Sequence, residues 1–197
     1  FKTRISLFGE HYQSRPYSYT FVGGGTVDTF GDNNEGLHLL YVPTGPTDPN
    51  VVFCSATNAA DNTLCGGAAT NFNTTDFFNW ADSVGLTRGA QTERNAFEGG
   101  WNNKFDLKIE QEFPTGFGKG SAFLVVENLG NLLNDEWGVI YETPFPQRVG
   151  VVEIDRDAAT NRFIYRRLAS PNIDDPVDGV SFWTVKLSLI HISEPTR

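Results

Sequence analysis

The chain lacks methionine, and its 197 residues include only two cysteines and three histidines. The histidines, His11, His38 and His191, share no metal-ligand spacing, and no G-x-S-x-G nucleophile motif is present. The sequence therefore predicts no metal site, no cofactor and no enzymatic activity. It also lacks a run of about 18 apolar residues, which argues against a transmembrane helix. The net charge of −9 argues against nucleic acid as a partner.

Aromatic residues and glycines are abundant, and charged residues are few. The chain is 39% hydrophobic, 13% aromatic and 20% charged, with 20 glycines and 16 phenylalanines. Aromatic side chains favour strands, and glycines favour turns. The composition therefore predicts an all-β protein with long loops.

The stretch Trp101–Asn134 reads as a strand, a tight glycine turn and a second strand. Residues two apart share a face of a strand, so the first arm has two unlike faces. Its apolar face carries Phe105, Leu107, Ile109 and Phe113. Its charged face carries Asp106, Lys108, Glu110 and Glu112. A helix would scatter these charges around its circumference, so the period favours a strand.

Alternating residues predict further strands. Within Lys2–Val22 most apolar and aromatic residues fall at odd positions, and even positions are mostly polar. This pattern predicts a single long strand with Tyr17, Tyr19 and Phe21 in an aromatic girdle. A final strand is predicted from Phe182, and a small hairpin from Val149–Ile154 and Arg162–Arg167. The segment Thr75–Val84 predicts one short helix, capped by Thr75 or Asp76.

Cys54 and Cys65 lie in a segment rich in Gly, Asn, Thr and Ala. No histidine or further cysteine lies nearby to complete a metal site. A loop disulfide is the favoured interpretation, and two unpaired thiols are the alternative.

The last residues, 187–197, read LSLIHISEPTR. This run resembles the in-frame translation of a transposase adapter used to prepare DNA sequencing libraries. The resemblance implies a non-native tail after Lys186, and that the chain is a fragment of a longer protein.

Three stretches resemble the C-terminal barrel of TonB-dependent outer-membrane receptors: Ser6–Phe21, Phe105–Pro114 and Ala122–Gly138. The likeness is greatest to the Oar-like branch, whose members carry a carboxypeptidase-regulatory-like domain. Leu40–Pro43 and Arg94–Asn95 also resemble that branch. The run Asn128–Asn134 resembles a signature of the family near its penultimate strand.

The resemblance implies that residues 1–186 form roughly the last four antiparallel strands of a 22-stranded transmembrane β-barrel, about the strand number of outer-membrane transporters. Residues 23–100 would be an extracellular loop, and 114–120 a short periplasmic turn. The charged face Asp106, Lys108, Glu110 and Glu112 would line the lumen. The apolar face would meet outer-membrane lipid.

The implied function is that of a bacterial outer-membrane receptor that binds a ligand at extracellular loops and imports it with energy from the TonB complex. The ligand is not identified by any motif. The alternative is a soluble or secreted β-rich binding module, with Ser55–Gly100 as its recognition loop. A four-strand fragment with open edges is expected to aggregate in water.

Overall fold

The computed structural model describes residues 2–22, 29–32, 34–54, 65, 72–116, 118–143, 145–169 and 178–193. Strands dominate these residues and helices are few, which confirms the all-β expectation. In chain order the described strands are β1 Thr3–Gln13, β2 Ser18–Phe21, β3 Tyr41–Val42, β4 Val51–Phe53, β5 Ala90–Gln91, β6 Trp101–Thr115, β7 Gly118–Glu127, β8 Ile140–Glu142, β9 Arg148–Arg156, β10 Phe163–Leu168, β11 Asp178–Val180 and β12 Thr184–Ser193. The helices are α1 Thr74–Ser83 and α2 Leu129–Leu133, and Glu35–Leu37 forms a 3₁₀ turn.

The chain divides into two compact units. Unit 1 comprises Phe1–Ser14, Gly99–Glu142 and Val177–Arg197, and unit 2 comprises Arg15–Glu98 and Thr143–Pro176. Among the residues described, no helix combines the length and the apolar character needed to cross a membrane.

Unit 1 is built on a four-stranded sheet in the order β1-β6-β7-β12. Every neighbouring pair in this sheet is antiparallel. β6 and β7 form a tight hairpin in which Thr115 pairs with Gly118. The strands therefore continue through most of 114–120, which was predicted as a turn, and only two residues are left to reverse the chain.

The expectation of one strand over Lys2–Val22 is wrong. β1 ends at Gln13 in the sheet of unit 1, and β2 pairs with β9 in unit 2. Pro16 lies between them, and proline has no N–H to donate to a ladder. The parity of apolar residues happens to continue across this break, so periodicity alone did not reveal it.

The second arm of the central hairpin also ends earlier than expected. The sequence predicted strand, turn and strand over Trp101–Asn134, but β7 ends at Glu127 and the chain turns into α2. Asn128 adopts the left-handed conformation, with φ of 57°. Asparagine tolerates this conformation better than most non-glycine residues, so it suits a junction between strand and helix.

Unit 2 contains a mixed sheet in the order β2-β9-β10-β4, in which β9 and β10 are antiparallel and the outer pairs are parallel. The predicted hairpin of Val149–Ile154 and Arg162–Arg167 is thereby confirmed. Much of 23–100, predicted as a loop, contains β3, β4, α1 and β5 of this unit. Helix α1 matches its prediction within one residue, but its cap is Asn73, whose side chain accepts from Asp76 N at 3.1 Å.

An aromatic core holds unit 2 together. The Tyr19 ring lies 4.4 Å from the Phe97 ring and 5.0 Å from the Trp80 ring, measured between centroids. Tyr17 and Phe21 are also buried. The girdle expected from Tyr17, Tyr19 and Phe21 is therefore wrong, because these residues form the core of unit 2.

Cys54 and Cys65 are joined by a disulfide bond, with their Cα atoms 5.7 Å apart. Both cysteines are buried together with Ile164 of β10. Because Cys54 directly follows β4, the disulfide anchors the chain at residue 65 to one side of the unit 2 sheet.

The segment expected to be a non-native tail joins the sheet of unit 1. Residues 187–193 complete β12, where Leu187 pairs with Leu124 of β7 and Leu189 pairs with Ala122. The run is rich in leucine and isoleucine, and isoleucine, being β-branched, favours strand whatever the origin of the run.

Candidate functional site

The four-stranded sheet of unit 1 has an apolar face and a charged face. Directly opposite residues of antiparallel strands share a face, so the register assigns each side chain. Ile5 lies opposite Ile109, Leu7 opposite Leu107, and Leu107 opposite Val126. Arg4 lies opposite Glu110 on the other face. The division predicted for β6 therefore extends to β1, but on β7 Phe123 and Val125 lie on the charged side, opposite Glu110 and Lys108.

The apolar face is the face that carries Ile5, Leu7, Phe105, Leu107, Ile109, Leu124, Val126, Val185, Leu187 and Leu189. Several of these side chains are strongly exposed: Ile5 is 70% exposed, Leu7 65% and Phe105 48%. Val185 of β12 is 46% exposed, whereas Val126 of the neighbouring β7 is buried. Contiguous exposed apolar side chains of this kind mark a surface that contacts lipid or another protein.

The charged face brings together the four residues predicted to line a lumen. Asp106, Lys108, Glu110 and Glu112 alternate along β6 on this side of the sheet. Phe8 of β1 and Ile190 of β12 interrupt the face with exposed apolar side chains.

Ion pairs link the charged face along and across its strands. Arg4 of β1 lies 3.2 Å from Glu110 and 3.5 Å from Glu112, each measured between nitrogen and oxygen. Lys108 lies 3.6 Å from Glu110. Lys186 of β12 lies 2.6 Å from Glu127 of β7. Partly exposed pairs of this kind contribute about 0–1 kcal/mol each. They neutralise charge on the face more than they stabilise the sheet.

Asp106 has a second role that the sequence did not reveal. Its Oδ1 accepts the backbone N–H of Asn128 at 2.8 Å, and its other oxygen pairs with Lys104 at 3.1 Å. The Asn128 amide is fully buried and donates to the carbonyl oxygens of Gly138 and Phe182. Asn128, the first residue of the run that resembles the family signature, is therefore a buried structural junction of unit 1.

Exposed aromatic residues gather at one end of the sheet. Trp101 begins β6 and is 54% exposed, and Trp183 immediately precedes β12 and is 51% exposed. His11 of β1 stacks on Trp101 with ring centroids 4.7 Å apart. The antiparallel register brings the C-terminal end of β1 and the N-terminal ends of β6 and β12 to the same end of the sheet. Tyrosine and tryptophan at such a position are typical of a membrane interface.

Both edges of this sheet are open among the described strands. β1 pairs only with β6, and β12 pairs only with β7. Their outer backbone N–H and C=O groups form no ladder, so further strands could pair with either edge.

Among the described residues, no group of three or more metal-ligating side chains converges. Compared with known proteins, the chain matches no protein-family model, no curated protein and no solved structure.

Proposed function

We propose that this chain is a piece of the wall of an outer-membrane β-barrel receptor of the TonB-dependent type, which binds a ligand outside the membrane and imports it. The observation that carries the proposal is the exposed apolar face of unit 1, opposite a face of paired charges. In an outer-membrane barrel, apolar side chains alternate outward to lipid and polar side chains inward to the lumen.

Strand length supports this proposal. β1 has 11 residues and β7 has 10. A tilted strand needs about 9–11 residues to cross the bilayer. Exposed Trp101 and Trp183 end the apolar face as an interfacial girdle does.

Electrostatics selects which face meets lipid. A lysine or arginine on the lipid side costs about 2–4 kcal/mol at the midplane. The charged face carries Arg4, Lys104 and Lys108 together with their acidic partners. If the charged face met lipid, all these charged side chains would lie in an apolar environment. The apolar face carries no charged side chain on β1, β6 or β7. In the proposed orientation Asp106, Lys108, Glu110 and Glu112 face the lumen.

Open edges support a larger barrel as the natural context. Lipid cannot satisfy unpaired backbone groups, so a spanning sheet must close on itself. β1 and β12 are each paired on one side among the described strands. We propose that further strands of a longer chain close the barrel, and that the TonB complex acts through parts outside this sequence.

The solution behaviour of residues 1–197 tests the proposal. Purified without detergent, the chain should form polydisperse aggregates, and maltoside micelles should disperse it, because micelles cover the apolar face. A matched pair of variants sharpens the test. Leu7→Asn and Leu107→Asn together should reduce aggregation, whereas Ser6→Asn on the charged face should not. A monodisperse, cooperatively unfolding monomer in plain buffer would instead support a soluble binding module.

A further inference from the structure

Unit 2 contains a cavity of about 390 Å³. Small-molecule sites typically measure about 300–1,000 Å³, so the cavity is large enough for a small ligand. It lies between β2, the start of β9, the residues around the 3₁₀ turn and the segment at 94–95. Its lining residues are Ser18, Thr20, Leu37, Leu39, Arg94, Asn95, Pro146, Gln147 and Arg148.

Among the described residues, two arginines and no carboxylate line this cavity. That composition is unusual in a chain with 24 acidic and 15 basic residues. Arg148 donates from Nη1 to the carbonyl oxygen of Gly36 at 2.8 Å, which holds its guanidinium at the cavity. A guanidinium has five N–H donors, and the bond to Gly36 uses one of them. Among the described residues, no carboxylate pairs with Arg94 or Arg148.

The polar wall between the arginines is held in place. Ser18 is buried, and its Oγ accepts the backbone N–H of Asn95 at 2.7 Å and donates to Asn95 Oδ1 at 3.3 Å. Asn95 and Gln147 both adopt left-handed conformations, with φ of 53° and 60°. Asparagine tolerates this conformation, but glutamine rarely adopts it, so the surrounding structure must hold Gln147 in place. Both flank an arginine of the cavity, at positions 94 and 148.

We propose that this cavity binds a small organic oxyanion between Arg94 and Arg148. A carboxylate or phosphate group accepts paired hydrogen bonds from a guanidinium, and both groups offer that chemistry. Leu37, Leu39 and Pro146 supply an apolar side for the rest of the ligand. Binding of the oxyanion does not depend on the receptor function proposed above. Only the further step, that the bound oxyanion is the ligand imported, rests on that function.

Binding of three probes to the full chain in micelles tests the site. Benzoate and phenyl phosphate carry the two candidate anionic groups, and benzamide is a neutral probe of similar shape. Titration followed by NMR should give saturable binding of at least one anion, with a Kd on the order of 1 mM for so small a ligand. Benzamide should bind at least about tenfold more weakly. The stronger of the two anions identifies which oxyanion the cavity prefers.

Three substitutions separate the cavity from general surface charge. Arg94→Gln and Arg148→Gln should each weaken anion binding by about tenfold or more, and Arg148→Lys should keep part of it. Arg156→Gln is the matched control, because Arg156 is exposed at the other end of β9. It should leave the Kd unchanged. The spectrum of each variant shows whether unit 2 remains folded.

Two results would overturn the anion site. One is the absence of saturable binding of either anion by the folded chain at about 10 mM. The other is an equal loss of binding in Arg156→Gln and Arg148→Gln, which would mean that the anions respond to surface charge. Either result would leave the dispersal of the chain by detergent unaffected, so failure of this site and failure of the receptor proposal can be told apart.

Discussion

Asp106 and Asn128 are joined by a hydrogen bond of 2.8 Å from the Asn128 backbone N–H to Asp106 Oδ1. The bond connects the charged face of β6 to the point where β7 turns into α2. Asn128 in turn donates from its amide to Gly138 O at 2.8 Å and Phe182 O at 2.7 Å. One buried asparagine therefore connects β6, the end of β7 and the chain that leads into β12.

Replacing Asn128 should destabilise unit 1. Asn128→Gly removes both amide hydrogen bonds, to Gly138 O and Phe182 O, at a net cost of about 0.5–1.5 kcal/mol each. Asn128→Ala should be worse by about 1 kcal/mol, because alanine also resists the left-handed conformation. The measurement is urea unfolding of the chain in micelles, followed by the fluorine NMR signal of fluorotryptophan at Trp101. Equal stability of the alanine and glycine variants would show that the backbone conformation contributes nothing.

Asp48 should make unit 2 sensitive to acid. Its side chain is buried, which by itself raises its pKa. Hydrogen bonds from Thr44 N at 2.7 Å, Asn50 N at 2.8 Å and the hydroxyls of Tyr41 and Thr44 outweigh burial, and the pKa of Asp48 lies below its ordinary value. Folding therefore favours the ionised carboxylate. Its stabilisation is complete above the unfolded pKa of about 3.9 and is lost as the pH falls through the folded pKa.

The corresponding experiment compares Asp48→Asn with the parent chain from about pH 7 to pH 3. The variant should be less stable at pH 7, and its stability should change less with acid. Glu93→Gln, an exposed site in the same unit, is the control and should follow the parent curve. Trp80 is buried in unit 2, so its fluorotryptophan signal reports the unfolding of this unit. Parallel curves for Asp48→Asn and the parent would contradict the prediction.

The disulfide between Cys54 and Cys65 should stabilise unit 2. It closes a short loop, with a sequence separation of 11 residues, so its loss should cost about 2–3 kcal/mol. We expect Cys54→Ser with Cys65→Ser to lower the urea midpoint of the Trp80 signal while leaving the Trp101 signal in unit 1 unchanged. Thiol titration of the unfolded parent chain should find no reactive thiol until a reductant is added. Two reactive thiols before reduction would show that the bond does not form.

Alternation along single strands could be read from the sequence, because each side chain's face depends only on its own position. The two faces of β6 follow from that local rule. The pairing of Val149–Ile154 with Arg162–Arg167 could be read from the polar turn Asp155–Asn161 between them. Helix α1 was also predictable, since its apolar side carries Phe77, Phe78 and Trp80.

The residues misread from sequence depend on tertiary structure. Tyr17, Tyr19 and Phe21 have the spacing of a membrane girdle, but they are buried in unit 2. Phe97 packs on both tyrosines, and Phe163 and Tyr165 pack on Phe21, all distant in sequence. The oxyanion cavity was missed for the same reason. Arg94 and Arg148 are separated by more than fifty residues, and neither belongs to a local motif.

Nitroxide spin labels on the two faces of unit 1 test the central claim most directly. Single labels at Leu7 and Leu107, which lie opposite each other on β1 and β6, report the apolar face. Labels at Ser6 and Lys108, the adjacent opposite pair, report the charged face. In phospholipid bicelles, the first pair should be more accessible to oxygen than to a water-soluble nickel complex, and the second pair should show the reverse. Equal accessibility on both faces, or the opposite order, would contradict a lipid-facing wall.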